Sequence, residues 1–170
     1  TQQGNNSNTK KKNGIYDLLI AVCVVVMVIS AMLIYDDISG RVSAKNEIEA
    51  LQSMKPGITA ATQQEKEDSA KSFEELKAIN SDYVGWITIP ETNVDLPMVQ
   101  CSNNSYYLKV SFNDDYSSAG CLFLDCINNK FFKDQNTVIY GHAMLDGSMF
   151  GGIKKFKQQS YYEEHPFIYV

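Results

Sequence analysis

The sequence is organised around one stretch, TVIYGHAM at residues 137–144. Its first half is apolar and β-branched, which is typical of a buried strand, and the strand ends at Gly141-His142. A turn at Asp146-Gly147 and the opening of a short helix over residues 148–153 follow. Imidazole is the side chain that most readily takes up and releases a proton near neutral pH. The pattern predicts a strand that delivers His142 to the rim of a site, with a structural strand-end histidine as the alternative.

The charge distribution argues against nucleic acid as a partner. The 170 residues carry 15 basic and 20 acidic side chains, a formal charge of -5. Lys10, Lys11 and Lys12 are the only basic residues before Arg41, so the rest of the chain is more acidic than the total suggests. Phosphate binding needs clustered lysine and arginine, and an acidic domain is poorly suited to it.

An uncharged apolar run from Leu18 to Tyr35 predicts a membrane anchor over residues 15–35. At about 1.5 Å rise per residue, a helix of this length nearly matches the roughly 30 Å hydrocarbon core of a bilayer. The three lysines precede the run and Asp36-Asp37 follows it. By the positive-inside rule, residues 1–14 form a cytoplasmic tail and the bulk of the chain is extracellular on a single-pass cell-membrane protein.

A cleaved signal peptide is the competing interpretation of this run. Its apolar core would be shorter, with small residues at the cleavage point. Val42-Ser43-Ala44 could serve as that point, but it lies well beyond the apolar run. Either interpretation predicts an exported domain, and because the chain begins with Thr1, we expect further sequence before it.

The cysteines predict neither a disulfide framework nor a metal site. Cys23 lies in the apolar run, and an odd number, Cys101, Cys121 and Cys126, lies outside it. A site made of Cys121, Cys126 and His142 would not have the spacing of recurrent zinc motifs. We therefore expect no metal and no cofactor.

A polar stretch separates the apolar run from the domain. Residues 36–66 contain few large apolar side chains and predict a partly helical extracellular stalk that holds the domain off the membrane. Ser72 to Glu75 matches a capping box, which predicts that a helix begins there. Phe73, Leu76 and Ile79 would share one face of that helix and pack on the domain.

Residues 67–170 predict a mainly β domain, a barrel or sandwich with short helices. A helical turn is expected over residues 104–108 and a weak strand over residues 167–170. Runs of β-branched and aromatic residues between turns predict four further strands, at residues 84–89, 94–100, 120–125 and 138–140.

Five phrases resemble, in order and spacing, the class B sortases, the membrane-anchored cysteine transpeptidases of Gram-positive bacteria. The likeness extends from about Phe73 to the end of the chain. The phrases are NSDYVGWITIP at 80–90, VDLPMVQ at 94–100, NSYYL at 104–108, GCLFLD at 120–125, and IYGHAM at 139–144 followed by GSMF at 147–150.

The resemblance implies a partial sortase-like β-barrel and a two-step acyl transfer. A cysteine thiolate attacks the threonine carbonyl of a sorting signal, and a peptidoglycan amino group then resolves the thioacyl enzyme, so that a surface protein becomes attached to the cell wall. His142 matches the family's catalytic histidine, a general acid and base. Asn104, Leu108 and Tyr140 match positions lining the substrate groove, although all three could instead be turn and core residues.

The chain departs from the family at the nucleophile. In the family, a Thr-Leu-x-Thr-Cys phrase and an arginine lie well downstream of the histidine, and none of the four cysteines here sits in such a phrase. Arg41, the only arginine, lies in the stalk, and His165 matches no catalytic position. We therefore expect the 170-residue chain to be inactive by itself and marginally folded, because the last strands of half a barrel lack partners. A non-catalytic, membrane-tethered peptide-binding module is the alternative function.

Overall fold

The computed structural model describes residues 6–57 and 62–170, and the chain divides between Gly40 and Arg41 into two compact units. Residues 1–5 of the predicted cytoplasmic tail and residues 58–61 of the predicted stalk lie outside the described residues.

The first unit contains the beginning of a long helix, α1, which extends over Asn6–Gln52. The apolar side chains from Leu18 to Tyr35 are all exposed to solvent. From Tyr16 onward this helix is long and apolar enough to cross a bilayer, and no other helix of the described residues passes that test. It is suited to a membrane span or a signal anchor.

Helix α2 of the second unit extends over Gln63–Ile79, and its N-cap, Thr62, lies ten residues before the predicted cap, Ser72. Its capping box is formed by Thr62 and Glu65: the Glu65 backbone N–H donates to Thr62 Oγ1 at 3.2 Å, and the Thr62 N–H donates to Glu65 Oε2 at 2.7 Å. The prediction of a start at Ser72 was wrong, because the residues before Ser72 are good helix formers and Thr62 matches the same pattern earlier in the chain.

The second unit is built on a four-stranded sheet in the order β1-β2-β3-β4. The strands are Tyr83–Thr88, Asp95–Val99, Leu122–Leu124 and Ile139–Tyr140. Strand β1 pairs antiparallel with β2, β2 pairs parallel with β3, and β3 pairs antiparallel with β4. The predicted strand at residues 167–170 is reduced to one bridge between Thr88 and Tyr169.

The predicted fold class holds in part: an apolar helix precedes a four-stranded sheet with short helices, but the strands are short and helices fill the connections, so the fold is not mainly β. The strands have 6, 5, 3 and 2 residues, against 47 and 17 residues in α1 and α2. Two 3-10 helices, Tyr106–Leu108 and Phe150–Lys157, and helix α3, Gln159–Glu164, occupy further connections. The second unit is a mixed four-stranded sheet with short helices in its connections.

Side chains cover both faces of the sheet. Neighbouring strand residues point to opposite faces, so Phe123 joins one apolar cluster and Leu122 joins the other. Leu51, near the end of α1, and Leu76 of α2 belong to the Phe123 cluster. Because Leu51 is only 3% exposed, the last turns of α1 pack within the second unit. The predicted boundary between stalk and domain, at residues 66 and 67, stays a prediction.

Candidate active site

The parallel pairing of β2 with β3 requires a crossover, and residues 100–121 provide it. The 3-10 helix Tyr106–Leu108 lies in this crossover and is held against the start of β3, because the Cys121 N–H donates to the Tyr107 carbonyl at 2.9 Å. Gly120 allows this approach: its φ is +62°, and a Cβ there would collide with the Tyr107 carbonyl oxygen. The crossover thereby brings Leu108 beside the sheet.

His142 follows β4 by two residues and is partly buried. Its Nε2 lies 2.8 Å from the Leu108 carbonyl oxygen. A carbonyl can only accept a hydrogen bond, so Nε2 carries the proton and Nδ1 is left to exchange one with a reacting group. The Phe150 N–H donates to the His142 carbonyl at 2.9 Å and fixes the backbone on the other side.

Tyr140 and Asn104 are tied to the end of β3. The Tyr140 hydroxyl donates to Asp125 Oδ2 at 2.9 Å, and its ring stacks on Phe123 with centroids 5.2 Å apart. Asn104 Oδ1 accepts from the Cys126 N–H at 2.8 Å. Hydrogen bonds from the Ile127 backbone and from Tyr140 lower the pKa of Asp125, and the bond to Asp125 raises the pKa of Tyr140.

The four residues predicted for the site therefore fall into two hydrogen-bonded groups. His142 pairs with Leu108, and Tyr140 and Asn104 are both held by the segment Asp125-Cys126. Strand β4 links the groups, since it ends at Tyr140, two residues before His142. The roles of these residues stay predictions.

Sequence reasoning missed Asp125 and the use of the Leu108 carbonyl. Asp125 had one available signal, a carboxylate directly after the three fully buried residues of β3. The Leu108 carbonyl had no signal in the sequence, because every residue type has a backbone carbonyl.

Two other titratable residues, Cys121 and His165, lie in other surroundings, whereas Cys126 belongs to the segment that holds Asn104 and Tyr140. Cys121 is buried, and desolvation raises the pKa of its thiol. His165 ends helix α3, where it stacks on Tyr161 at 4.1 Å and its Nδ1 lies 2.9 Å from the Tyr161 carbonyl. Within residues 6–57 and 62–170, no group of three or more His, Cys, Asp or Glu side chains is placed to hold a metal ion.

Comparisons with known proteins agree with the resemblance seen in the sequence. No protein-family model matches the chain. Sortase B of Listeria monocytogenes is 38% identical over 107 residues, which cover 63% of this chain and 44% of that protein. Sortase B of Staphylococcus aureus is 29% identical over 150 residues, 88% of this chain and 62% of that protein. The chain thus spans about half the length of these curated relatives.

Solved structures give the same result at the level of the fold. A mutant form of Clostridium perfringens sortase B superposes with a TM-score of 0.67 at 35% identity, covering 73% of this chain and 57% of that one. The Staphylococcus aureus sortase B–substrate complex superposes with a TM-score of 0.63 at 31% identity, covering 73% and 56%. The second unit therefore has a sortase-like fold.

Proposed function

We propose that the chain, which is similar to sortase B proteins over about half of their length, provides the histidine and one side of the substrate groove of a cysteine transpeptidase. The observation that carries the proposal is the bond between His142 Nε2 and the Leu108 carbonyl. It orients the ring and reserves Nδ1 for proton transfer, as an acid–base residue requires.

In the proposed reaction, a thiolate attacks the threonine carbonyl of a sorting signal, and the peptide C–N bond breaks. His142 first takes up the thiol proton on Nδ1 as the thiolate forms and then gives that proton to the leaving amine, which yields a thioacyl enzyme. A peptidoglycan amino group then attacks the thioester, His142 takes up its proton, and the thiolate is released. An arginine stabilises the oxyanion in both steps.

We assign the thiolate and the arginine to none of the described residues. Cys121 is buried, Cys23 lies in the apolar helix, and neither the partly exposed Cys101 nor Cys126 sits in the family's Thr-Leu-x-Thr-Cys phrase. Arg41 does not follow such a phrase either. The 170-residue chain alone is accordingly proposed not to turn over substrate. To test this, the expressed chain is incubated with sorting-signal peptides and hydroxylamine. Formation of a peptide hydroxamate would contradict the proposal that the chain alone is inactive.

The proposed substrate groove contains Asn104, Leu108 and Tyr140. Two of these side chains are polar and already oriented by hydrogen bonds, which suits recognition of an extended peptide. The Staphylococcus aureus relative has been solved with a substrate, which supports a peptide ligand for the related groove here.

The proposed location is the outer face of the cell membrane. Residues 15–35 form the anchor, residues 1–14 the cytoplasmic tail, residues 36–66 the stalk, and residues 67–170 the extracellular domain. The apolar helix and the lysines before it support this arrangement, which brings the domain to the side where peptidoglycan amino groups are found.

A chimera tests the proposal. In the chimera, residues 67–170 replace the matching region of Clostridium perfringens sortase B, and the rest of the sequence is that enzyme's own. The chimera is incubated with that enzyme's peptide substrate. Formation of the thioacyl enzyme and its cleavage by hydroxylamine are then measured. We expect cleavage. A folded chimera that binds the peptide and never cleaves it would instead favour the non-catalytic peptide-binding module.

A further inference from the structure

Asp125 is held rigidly at the end of β3. Its Oδ1 accepts from the Ile127 N–H at 3.0 Å, and its Oδ2 accepts from the Tyr140 hydroxyl at 2.9 Å. Its backbone carbonyl accepts from Gln100 Nε2 at 2.8 Å. Both carboxylate oxygens are thus engaged on an anchored main chain, and a carboxylate that turns away from Tyr140 also loses its bond to the Ile127 N–H.

This bond decides which way the Tyr140 hydroxyl points. A phenol carries one proton and two acceptor positions, whereas a carboxylate can only accept. The Tyr140 proton is therefore directed at Asp125, and only the lone pairs of its oxygen remain for another partner.

We propose that Asp125 is a positioning residue that presents Tyr140 to the bound peptide as a hydrogen-bond acceptor. The inference rests on the proposed function, because it assumes that a peptide occupies the groove. It specifies the chemistry of the contact: the peptide group that meets Tyr140 is a donor, an amide N–H or a hydroxyl, and a carbonyl or carboxylate at that position is disfavoured.

Asn104 is oriented from the same segment. Its Oδ1 is occupied by the Cys126 N–H at 2.8 Å, and its side chain contributes to lowering the pKa of Asp125. The end of β3 therefore fixes the hydrogen-bonding polarity of two groove residues at once, and a change at Asp125 alters ligand preference rather than only overall stability.

The first test examines the bond without any ligand. In the full 170-residue chain in detergent micelles, carbon-13 NMR of labelled tyrosine follows the titration of Tyr140. Because the bond to Asp125 raises the pKa of Tyr140, Asp125→Asn lowers the pH at which Tyr140 titrates. Asp134→Asn is the matched control, since Asp134 accepts bonds from Asn128 and Asn129 within its own loop. An unchanged Tyr140 titration in Asp125→Asn overturns the inference.

The second test examines the substrate contact. The probe is the peptide substrate of the Staphylococcus aureus enzyme, with each backbone N–H replaced in turn by N-methyl, and binding is followed by NMR. One N-methyl group weakens binding to the wild-type chain about five- to ten-fold, the effect of one lost hydrogen bond. The same methyl group has no effect on Tyr140→Phe, which lacks the acceptor, and a smaller effect on Asp125→Leu, in which the hydroxyl is no longer oriented. Asp125→Glu, which keeps a carboxylate, restores part of the effect.

The two levels of the proposal fail in different ways. If the unmodified peptide binds and the N-methyl group weakens binding equally in Asp125→Leu and in the wild type, the role of Asp125 is overturned. The proposed function is then unaffected. If the unmodified peptide binds only the chimera, which has both sides of the groove, the same N-methyl series is measured there. No binding of the unmodified peptide to either the 170-residue chain or the chimera overturns the groove itself, and with it the inference that rests on it.

Discussion

At the scale of single residues, backbone carbonyls and carboxylates determine what the polar side chains of the second unit can do. The Leu108 carbonyl selects the tautomer of His142, and Asp125 selects the direction of the Tyr140 hydroxyl. Asp95 is a third example: its Oδ1 accepts from Lys55 Nζ at 2.5 Å, from Trp86 Nε1 at 2.9 Å and from Thr88 Oγ1 at 2.8 Å.

Asp95 makes the stability of the second unit vary with pH in the acid range. Burial by itself would raise its pKa, but the hydrogen bonds from Lys55, Trp86 and Thr88 outweigh this and lower the pKa below its ordinary value. A group with a lowered folded-state pKa stabilises the fold above its unfolded pKa and loses that contribution as the pH falls through the folded pKa. We therefore expect the loss to occur in acid, below the ordinary pKa of an aspartate.

The variant Asp95→Asn checks this directly. At neutral pH it lowers the free energy of unfolding by about 1–3 kcal/mol, because charged hydrogen bonds are weakened around a partly buried group. Its stability then varies less with pH in acid than that of the wild type. Denaturation followed by the fluorescence of Trp86, the single tryptophan, provides the measurement. The exposed Asp115→Asn is the control, and equal acid sensitivity of wild type and Asp95→Asn would contradict the assignment.

Residue type and local pattern pointed to one candidate, His142, at the end of a strand-Gly-His phrase. The resemblance implied its catalytic role and added Asn104, Leu108 and Tyr140 as groove residues. Asp125 and the Leu108 carbonyl were not predictable in this way, because their contribution depends on which segments the crossover between β2 and β3 brings together.

At the scale of elements, helix α2 is held by one stripe of side chains. Leu76 is fully buried, and Phe73 packs on Tyr83 with ring centroids 5.0 Å apart, whereas Ile79 is 44% exposed. The predicted apolar face therefore holds for Phe73 and Leu76 and fails for Ile79, which lies at the last residue of the helix.

This difference gives a prediction with an internal control. Leu76→Ala removes fully buried methyl groups and lowers the free energy of unfolding by about 2–5 kcal/mol. Ile79→Ala lowers it by less than about 1 kcal/mol, because the side chain is already partly in water. Urea denaturation monitored by circular dichroism compares the two variants, and equal losses would mean that α2 does not pack through Leu76.

Strand positions were predictable to within a residue or two, but pairing was not. The phrases at residues 84–89 and 94–100 became an antiparallel pair joined by a tight turn, which local pattern supports. The parallel partner of β2 is β3, which lies beyond the long crossover, and no local signal encodes that choice. The start of helix α2 was predicted too late in the chain because two segments match the same capping pattern.

At the scale of the whole molecule, the apolar helix and the sortase-like unit together support the proposed location outside the membrane. The predicted fold class was wrong in its balance of helix and strand, since the predicted stalk is helical as far as Gln52 and the strands are short. The apolar helix was predictable, because an uncharged run of this length is long enough to span a bilayer and too long for a buried strand.

The four native cysteines provide a test of topology. Cys101 and Cys126 are partly exposed in the second unit, Cys121 is buried, and Cys23 lies in the apolar helix. The chain is expressed in Gram-positive cells, which are then converted to protoplasts with an intact membrane. We expect a membrane-impermeant maleimide to label the chain, and to label the double variant Cys101→Ser/Cys126→Ser much less. Labelling that appears only after the membrane is permeabilised would place the domain in the cytoplasm.

The most direct test of the central claim is the effect of His142→Ala on the chimera with Clostridium perfringens sortase B. As acid and base, His142 contributes about 10²–10⁴-fold to the rate, so the variant loses that much in kcat/KM for peptide cleavage. His165→Ala, a change of the same residue type at the end of α3, leaves the rate within about two-fold, as expected of a position away from the chemistry. A His142→Ala chimera that stays folded and cleaves as fast as its parent would contradict the assignment of His142 as the acid–base residue.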